Sequence, residues 1–123
     1  MLKKDLAMKN LEDIKTRFLK EPFNARLGHL ASDLVHIASF LEYPKDIKAA
    51  NDVLEESKFF IEWTAPGAPF DVQSFLSEIQ PQLSLWHLKL QQQKGNLKDI
   101  GEVKRLTRRW SDRLLEISGL VKI

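Results

Sequence analysis

Apolar residues recur at alternating intervals of three and four along four successive stretches of this chain, and that spacing strongly limits how the chain can fold. Because an α-helix turns once in about 3.6 residues, this spacing keeps the apolar side chains on one side of a helix. Each helix must then hide its stripe from water. Four such stripes joined by short breaks predict an all-α protein, specifically an antiparallel up-down four-helix bundle. The stripes are Leu27, Leu30, Leu34, Ile37, Leu41; Ile47, Ala50, Leu54, Ser57, Ile61; Val72, Leu76, Ile79, Leu83, Trp86, Leu90; and Ile100, Val103, Thr107, Trp110, Leu114, Ile117, Val121.

An additional short N-terminal helix is predicted ahead of the bundle, so that residues 1–22 form this helix and its connector and residues 23–123 form the four-helix core. A length of 123 residues suits a single domain. The segment 64–70, with two prolines and a glycine, reads as an internal linker. Asn24 and Asp71 are expected to cap the helices that follow them. Pro81 is expected to kink or split its helix near residues 78–80.

Composition indicates a cytoplasmic protein with neither a membrane anchor nor a cofactor. Hydrophobic residues make up 43% of the chain and charged residues 29%, which is ordinary for a globular domain. There is no cysteine, so disulfides and thiolate metal sites are excluded, and a reducing compartment is the simpler interpretation. The first ten residues lack the apolar run of a signal peptide. A net charge of +2 is too small to mark a typical nucleic-acid-binding protein.

Two histidines and an aspartate on the second helix form a weak candidate for a metal site. His29, Asp33 and His36 fall on one helix face, and imidazole and carboxylate groups are common metal ligands. This face points away from the apolar stripe and is expected to be exposed to water. No second cluster completes the coordination that a metal-binding bundle needs, so the interpretation favoured is a solvated face without a metal.

The last helix carries a basic cluster with two possible meanings. Such a cluster can bind phosphate or an acidic partner. Carboxylates interleaved at helical spacing favour the alternative of a solvated face whose charges pair with each other. Nucleic acid is the less expected partner because this face has no aromatic residue for base stacking. The cluster consists of Lys104, Arg105, Arg108, Arg109 and Arg113.

Three aromatic residues at the end of the third helix lie outside the apolar stripe. Phe59 and Trp63 point almost opposite to that stripe, and Phe60 widens the apolar belt between them. Aromatic side chains grouped in this way need either a cover or a partner. One interpretation is that the N-terminal helix folds back over them with Leu11, Ile14 and Phe18. The other is that they form a dimer seam or a docking site for another protein.

The segment Glu55-Glu-Ser-Lys-Phe-Phe-Ile-Glu-Trp-Thr-Ala-Pro66 resembles a segment of small uncharacterised all-helical proteins of cyanobacterial type. The resemblance covers the third helix and its linker. It implies a helical fold and a type of host. No activity is attached to that group, so the resemblance implies nothing about chemistry.

No catalytic constellation is present in the sequence. There is no nucleophile-elbow serine and no glycine-rich phosphate loop, and the only histidines are His29, His36 and His87. We therefore expect a non-enzymatic helical module that binds another protein or itself, as a possible homodimer. The alternatives are binding of nucleic acid or other anions by the last helix, and binding of a metal or small ligand within the bundle.

Overall fold

The described part of the chain folds into five α-helices, of which the first four are joined by short turns. The computed structural model describes residues 2–92 and 100–119, with side chains from residue 10 onward except at Pro44. No strand occurs in the part of the chain so described. Two 3₁₀ turns, Pro44–Asp46 and Ala65–Gly67, precede the third and fourth helices. The helices are α1 (Leu2–Lys20), α2 (Phe23–Leu41), α3 (Ile47–Thr64), α4 (Phe70–Gln92) and α5 (Ile100–Ser118).

The apolar stripes predicted from the sequence supply most of the core, although some members are only partly buried and Val121 lies outside the described residues. The partly buried members are Ile47, Ile100, Trp110 and Ile117. The α2 stripe, from Leu27 to Leu41, is at most 3% exposed along its length. Helix α2 packs against both α3 and α5, and α3 in turn contacts α1 and α4. Helices α4 and α5 meet through large side chains, since the ring centroids of Trp86 and Trp110 lie 5.6 Å apart. Every member of the α4 stripe is buried, namely Val72, Leu76, Ile79, Leu83, Trp86 and Leu90.

The helix ends depart from the expected caps. Pro22 occupies the position before α2, and the Asn24 side chain accepts a hydrogen bond from the amide of Ala25, inside the first turn, at 2.9 Å. Asp71 is the second residue of α4, and the backbone amide of Gln73 donates to the carbonyl of Pro69 at 2.9 Å. Asn24 and Asp71 are therefore not N-caps. Asp71 instead places a negative charge in the first turn, where the helix dipole favours it.

Three further boundaries differ from expectation or fall outside the described residues. Helix α1 is not short, because its 19 residues match the length of α2 and α5. The linker 64–70 is largely taken up by the 3₁₀ turn and the helix ends. The glycine and asparagine at residues 95 and 96 predict the end of α4, with α5 beginning near residue 97, and these positions lie outside the described residues. Gly119 has φ of 75° and ends α5, as a glycine after a helix commonly does.

Pro81 does not split α4. The helix runs without interruption for 23 residues, with Pro81 on its exposed side. Proline has no N–H, so the carbonyl of Ser77 loses its partner in the helix ladder. Since Ser77 is also exposed, water can take the place of that donor.

The two polar members of the apolar stripes behave differently. The Thr107 hydroxyl donates to the carbonyl of Val103 at 2.7 Å, as expected for a buried threonine in a helix. The Ser57 hydroxyl is fully buried and has no hydrogen-bond partner among the described residues, so the same expectation is wrong there. Three other buried atoms on α3 and α4 share this condition: Oδ1 of Asn51, Oε1 of Gln80 and Nε2 of His87.

None of the helices, over the described residues, has the length and apolar character needed to cross a membrane.

Candidate interaction surfaces

The aromatic residues at the end of α3 are packed under α1. Phe18 stacks on Phe60 with ring centroids 4.1 Å apart and planes inclined by 7°, and both side chains are buried. The Trp63 ring lies 5.9 Å from Phe18, and the Lys15 ammonium group sits 5.9 Å from the centroid of the Trp63 ring. The interpretation that α1 folds back over the aromatic residues is confirmed for Phe18 on Phe60 and Trp63, and cover by Leu11 stays a prediction. Phe60 is therefore part of the core of this chain and not an exposed contact residue.

Only the edge of the aromatic cluster remains accessible. Phe59 stacks on Trp63 with centroids 5.6 Å apart, and both side chains are half-buried. Because α1 already covers the face of the cluster, a partner could reach only this edge. Binding of a partner by Phe59 and Trp63 stays a prediction. The surface that they offer is smaller than the sequence indicated, because Phe60 is buried.

His29, Asp33 and His36 do not form a metal site. The His29 ring lies near Phe18, and its Nε2 is 3.7 Å from a carboxylate oxygen of Glu21. The His36 ring packs near Phe40 on the same helix, with centroids 6.0 Å apart. Among the residues that the structure describes, no three His, Asp or Glu side chains converge to hold a metal ion.

Asp33 is half-buried beside a second acidic residue, contrary to the expectation of an exposed position. Burial, a hydrogen bond with Glu56 and repulsion by its charge together raise the pKa of Asp33 from 3.8 to about 9. One carboxylate oxygen, Oδ2, is buried without a hydrogen-bond partner. The raised pKa favours the protonated form of the Asp33 carboxyl.

The basic cluster of α5 is exposed along its whole length but only partly paired. Lys104 forms an ion pair with Glu42 at the end of α2, which contradicts pairing within α5 for this residue. Arg113 lies 3.4 Å from Glu116 one turn later, as the self-paired interpretation expects. The remaining members make no ion pair with any described residue: Arg105, Arg108 and Arg109.

A groove separates α4 from α5 beside the tryptophan contact. Its volume is about 540 Å³. Apolar side chains alternate with charges of both signs along its walls, so it has no single chemical character. The lining residues are Phe75 and Glu78 of α4, and Leu106, Arg109, Trp110, Asp112, Arg113 and Glu116 of α5.

The outer side of α4 carries a row of exposed residues with no charge, which the sequence analysis missed. Phe70 is 83% exposed, Leu85 43% and Leu88 48%. The whole row spans the length of the helix at spacings of three and four, and we call it the uncharged face. Its members are Phe70, Ser74, Ser77, Pro81, Leu85 and Leu88. The signal was available in the sequence, because α4 has only Asp71, Glu78 and Lys89 as charged residues among its 23.

Comparison with known proteins adds no family: no protein-family model, no curated protein and no solved structure matches the chain. The resemblance to small all-helical proteins of cyanobacterial type therefore stays a prediction. The surfaces must be interpreted from their own chemistry.

Replacing Phe18 with alanine should detach α1 from the aromatic cluster. The substitution removes a buried ring stacked on Phe60, and a buried Phe→Ala change costs about 3 kcal/mol of unfolding free energy. Chemical denaturation would measure the loss. Leu19→Ala is the matched control, because Leu19 is an exposed neighbour on the same helix and should cost under about 0.5 kcal/mol. Equal effects of the two changes would show that Phe18 does not anchor α1.

Replacing Asp33 with asparagine should flatten the dependence of stability on pH. The pKa of Asp33 is raised in the folded chain, so its contribution to stability is complete below pH about 4 and is lost as the pH rises toward 9. Each pKa unit corresponds to about 1.4 kcal/mol. Because Asp33 keeps partial contact with water, we expect the wild type to lose about 2 kcal/mol relative to Asp33→Asn across this range.

Denaturation at pH 5 and pH 9 would measure that difference. Asp52→Asn, at an exposed position of α3, serves as the control and should keep the wild-type pH dependence. Parallel stability curves for Asp33→Asn and the wild type would contradict the burial of an acidic pair.

Proposed function

We propose that this chain is a protein-interaction module that binds another protein chain through the uncharged face of α4. The observation that carries the proposal is a full-length row of exposed residues without charge, ending in large apolar side chains. In this proposal α2 to α5 form an antiparallel up-down four-helix bundle, and α1 closes the side of α2 and α3. We place its activity in the cytoplasm, because the absence of cysteine suits a reducing compartment.

Exposed apolar side chains scattered singly are common on proteins, but grouped ones more often mark a contact with a partner. On the uncharged face, Leu85 and Leu88 lie one turn apart, so their exposed side chains form one patch. Phe70, at the other end, leaves most of its ring in water. Burying these side chains against a partner would stabilise the complex by about 25 cal/mol for each Å² of apolar surface removed from water.

The neighbouring helix shows that charge is not absent from this chain's surface in general. The outer side of α5 carries Arg105, Arg108, Arg109, Asp112 and Glu116, all exposed. A face that only has to stay in water is usually built like that of α5. The contrast between two adjacent helices supports a different task for α4. It also supports α4 over the edge formed by Phe59 and Trp63, which α1 largely covers.

Capture from an extract of the native host would test the proposal. We expect wild-type chain to retain a protein that the Leu85→Glu/Leu88→Glu variant retains at least about tenfold less, because charged side chains would have to be buried without partners. Val35→Glu is the matched control, since Val35 is 44% exposed on α2 and lies outside the uncharged face. Equal retention by both variants would contradict the proposal, provided that circular dichroism shows both to be folded.

A second candidate function is binding of an anionic partner by α5. It is favoured by Arg105, Arg108 and Arg109, whose guanidinium groups are exposed and lack ion-pair partners in the described part of the chain. With Gly101, Lys104 and Asp112 these residues line a shallow depression of about 560 Å³. Arginine suits phosphate and carboxylate groups because its planar fork can bind them with two hydrogen bonds.

Retardation of short DNA and RNA at increasing salt would test this candidate. Three phosphate contacts predict an affinity about 40-fold lower at 200 mM than at 50 mM salt. Replacing the three arginines with glutamine should abolish binding, whereas Arg17→Gln on α1 should leave it unchanged. Absence of retardation at 50 mM salt would rule out nucleic acid as the anionic partner.

A further inference from the structure

Four of the six members of the uncharged face are arranged symmetrically about one residue near the middle of α4. Taking Ile79 as the midpoint, Phe70 lies nine residues before it and Leu88 nine residues after it. Ser77 and Pro81 lie two residues before and after it. The arrangement puts bulky apolar groups at both ends of the face and small or short side chains near its centre, where two crossing helices come closest.

We infer that the partner of the uncharged face is a second copy of this chain, with the two α4 helices antiparallel about a two-fold axis near Ile79. This inference rests on the proposed function and names its partner. In that arrangement Phe70 meets Leu88 of the second copy, and Ser77 meets Pro81 of the second copy. Phe70 and Leu88, at the two ends of the face, are thereby paired with each other across the two copies, as a self-complementary interface requires, whereas Leu85 comes to the level of Gln73 of the second copy.

The charged residues beside the face support the antiparallel direction. Asp71 and Lys89 are 18 residues apart, which is five helical turns, so they project from the same side of α4. Both are exposed, and neither is ion-paired within the described residues. A two-fold axis near Ile79 brings Asp71 of each copy to within about 3 Å, along the helix, of Lys89 of the other. A parallel two-fold pair would instead place Asp71 and Lys89 of one copy about 27 Å, along the helices, from their opposite charges on the other copy, so neither charge would gain a partner.

Glu78 opposes the pairing, because the axis brings it close to Glu78 of the second copy. The groove that Glu78 lines also contains Arg109 and Arg113, whose positive charges reduce that repulsion. Exposed ion pairs contribute little affinity. The two contacts between Asp71 and Lys89 therefore serve mainly to fix the direction of the helices, and the apolar ends supply the attraction.

The size of the face indicates a reversible dimer. A helix of 23 residues is about 35 Å long and 10–12 Å across, so α4 offers about 400 Å² per copy. Two copies then bury about 800 Å², and somewhat more with the flanking rows, which is the range of weak and transient interfaces. We expect dimerisation at micromolar concentrations and no obligate dimer.

Analytical ultracentrifugation from about 1 µM to 500 µM, with the exchange of two charges, tests the pairing. Wild type should pass from monomer to dimer. Asp71→Lys should weaken the dimer about tenfold because each copy then presents two like charges, and Asp71→Lys/Lys89→Asp should restore it. Leu85→Glu/Leu88→Glu should abolish the dimer and Val35→Glu should not. If the double glutamate variant unfolds, Phe70→Ser takes its place, since Phe70 is 83% exposed at the start of the helix.

Spin labels give the direction of the helices independently of affinity. The chain has no native cysteine, so Glu78→Cys and Gln91→Cys each carry one label. Antiparallel pairing predicts a short distance between the labels at residue 78. At residue 91, which is twelve residues from Ile79, it predicts labels about 36 Å apart along the helices. Parallel pairing predicts short distances at both positions and would overturn the inference.

A monomer at all concentrations would also overturn self-pairing. So would a dimer whose affinity is the same in wild type and in Leu85→Glu/Leu88→Glu. Neither result would by itself contradict the proposed function. Capture of a different protein by wild type, lost in Leu85→Glu/Leu88→Glu, would then show that the face binds another chain. Failure of that capture as well would contradict both.

Discussion

The structure depends on the burial of one helix between two others. Helix α2 contacts both α3 and α5, and its stripe from Leu27 to Leu41 is almost completely withdrawn from water. Burying a leucine or isoleucine side chain contributes about 1.5–3 kcal/mol relative to leaving it exposed, so these five positions together stabilise the fold more than any polar contact described above. The other helices take their places around α2. Helix α4 does not pack closely against α2 and is held through α3 and through the contact of Trp86 with Trp110 on α5.

Because α4 does not pack closely against the central helix α2, it is the least firmly attached of the helices whose stripes form the core. Gln80 of α4 donates to the carbonyl of Lys58 on α3 at the long distance of 3.5 Å, while its own Oε1 is buried without a partner. On α3 and α4, Ser57, Asn51 and His87 also bury a polar atom without a partner. A buried polar group left unsatisfied costs about 1–3 kcal/mol. A second helix against the outer side of α4 would offset part of this cost by burying α4 on both sides.

The sequence predicted the core well because periodicity reports directly on which side of a helix is hidden from water. Spacing alone identified the stripes of α2 and α4, and every residue in them is buried. Spacing does not say which helix lies opposite a given residue. Asp33 was therefore expected in water, although α3 brings Glu56 against it. Phe60 was ambiguous for the same reason, because only the packing of α1 decides whether its ring is covered.

Helix ends were predicted less well, because several residues compete for each cap. Asn24 and Asp71 have suitable side chains. In both cases, however, the carbonyl of the proline two residues earlier accepts a hydrogen bond of the first turn, so the helix starts before the expected cap. The uncharged face was missed for another reason. The spacing of apolar residues identifies the buried stripe of α4. The uncharged face differs from an ordinary exposed helix face only by its lack of charged residues. Only the exposure of Phe70, Leu85 and Leu88 makes that absence informative.

If α4 binds another chain as proposed, the different surfaces of α4 and α5 would reconcile two opposing demands on a small protein. An uncharged face that binds another chain also promotes aggregation, because apolar attraction has no preferred direction. In this chain the adjacent helix supplies a dense, mixed set of charges, with Arg105 and Arg108 on its outer side and Asp112 between the two surfaces. Any additional molecule stacking sideways onto α4 would have to bury some of these charges without partners. In the proposed interaction, the charged helix would therefore disfavour sideways association, while the uncharged face would provide the attraction.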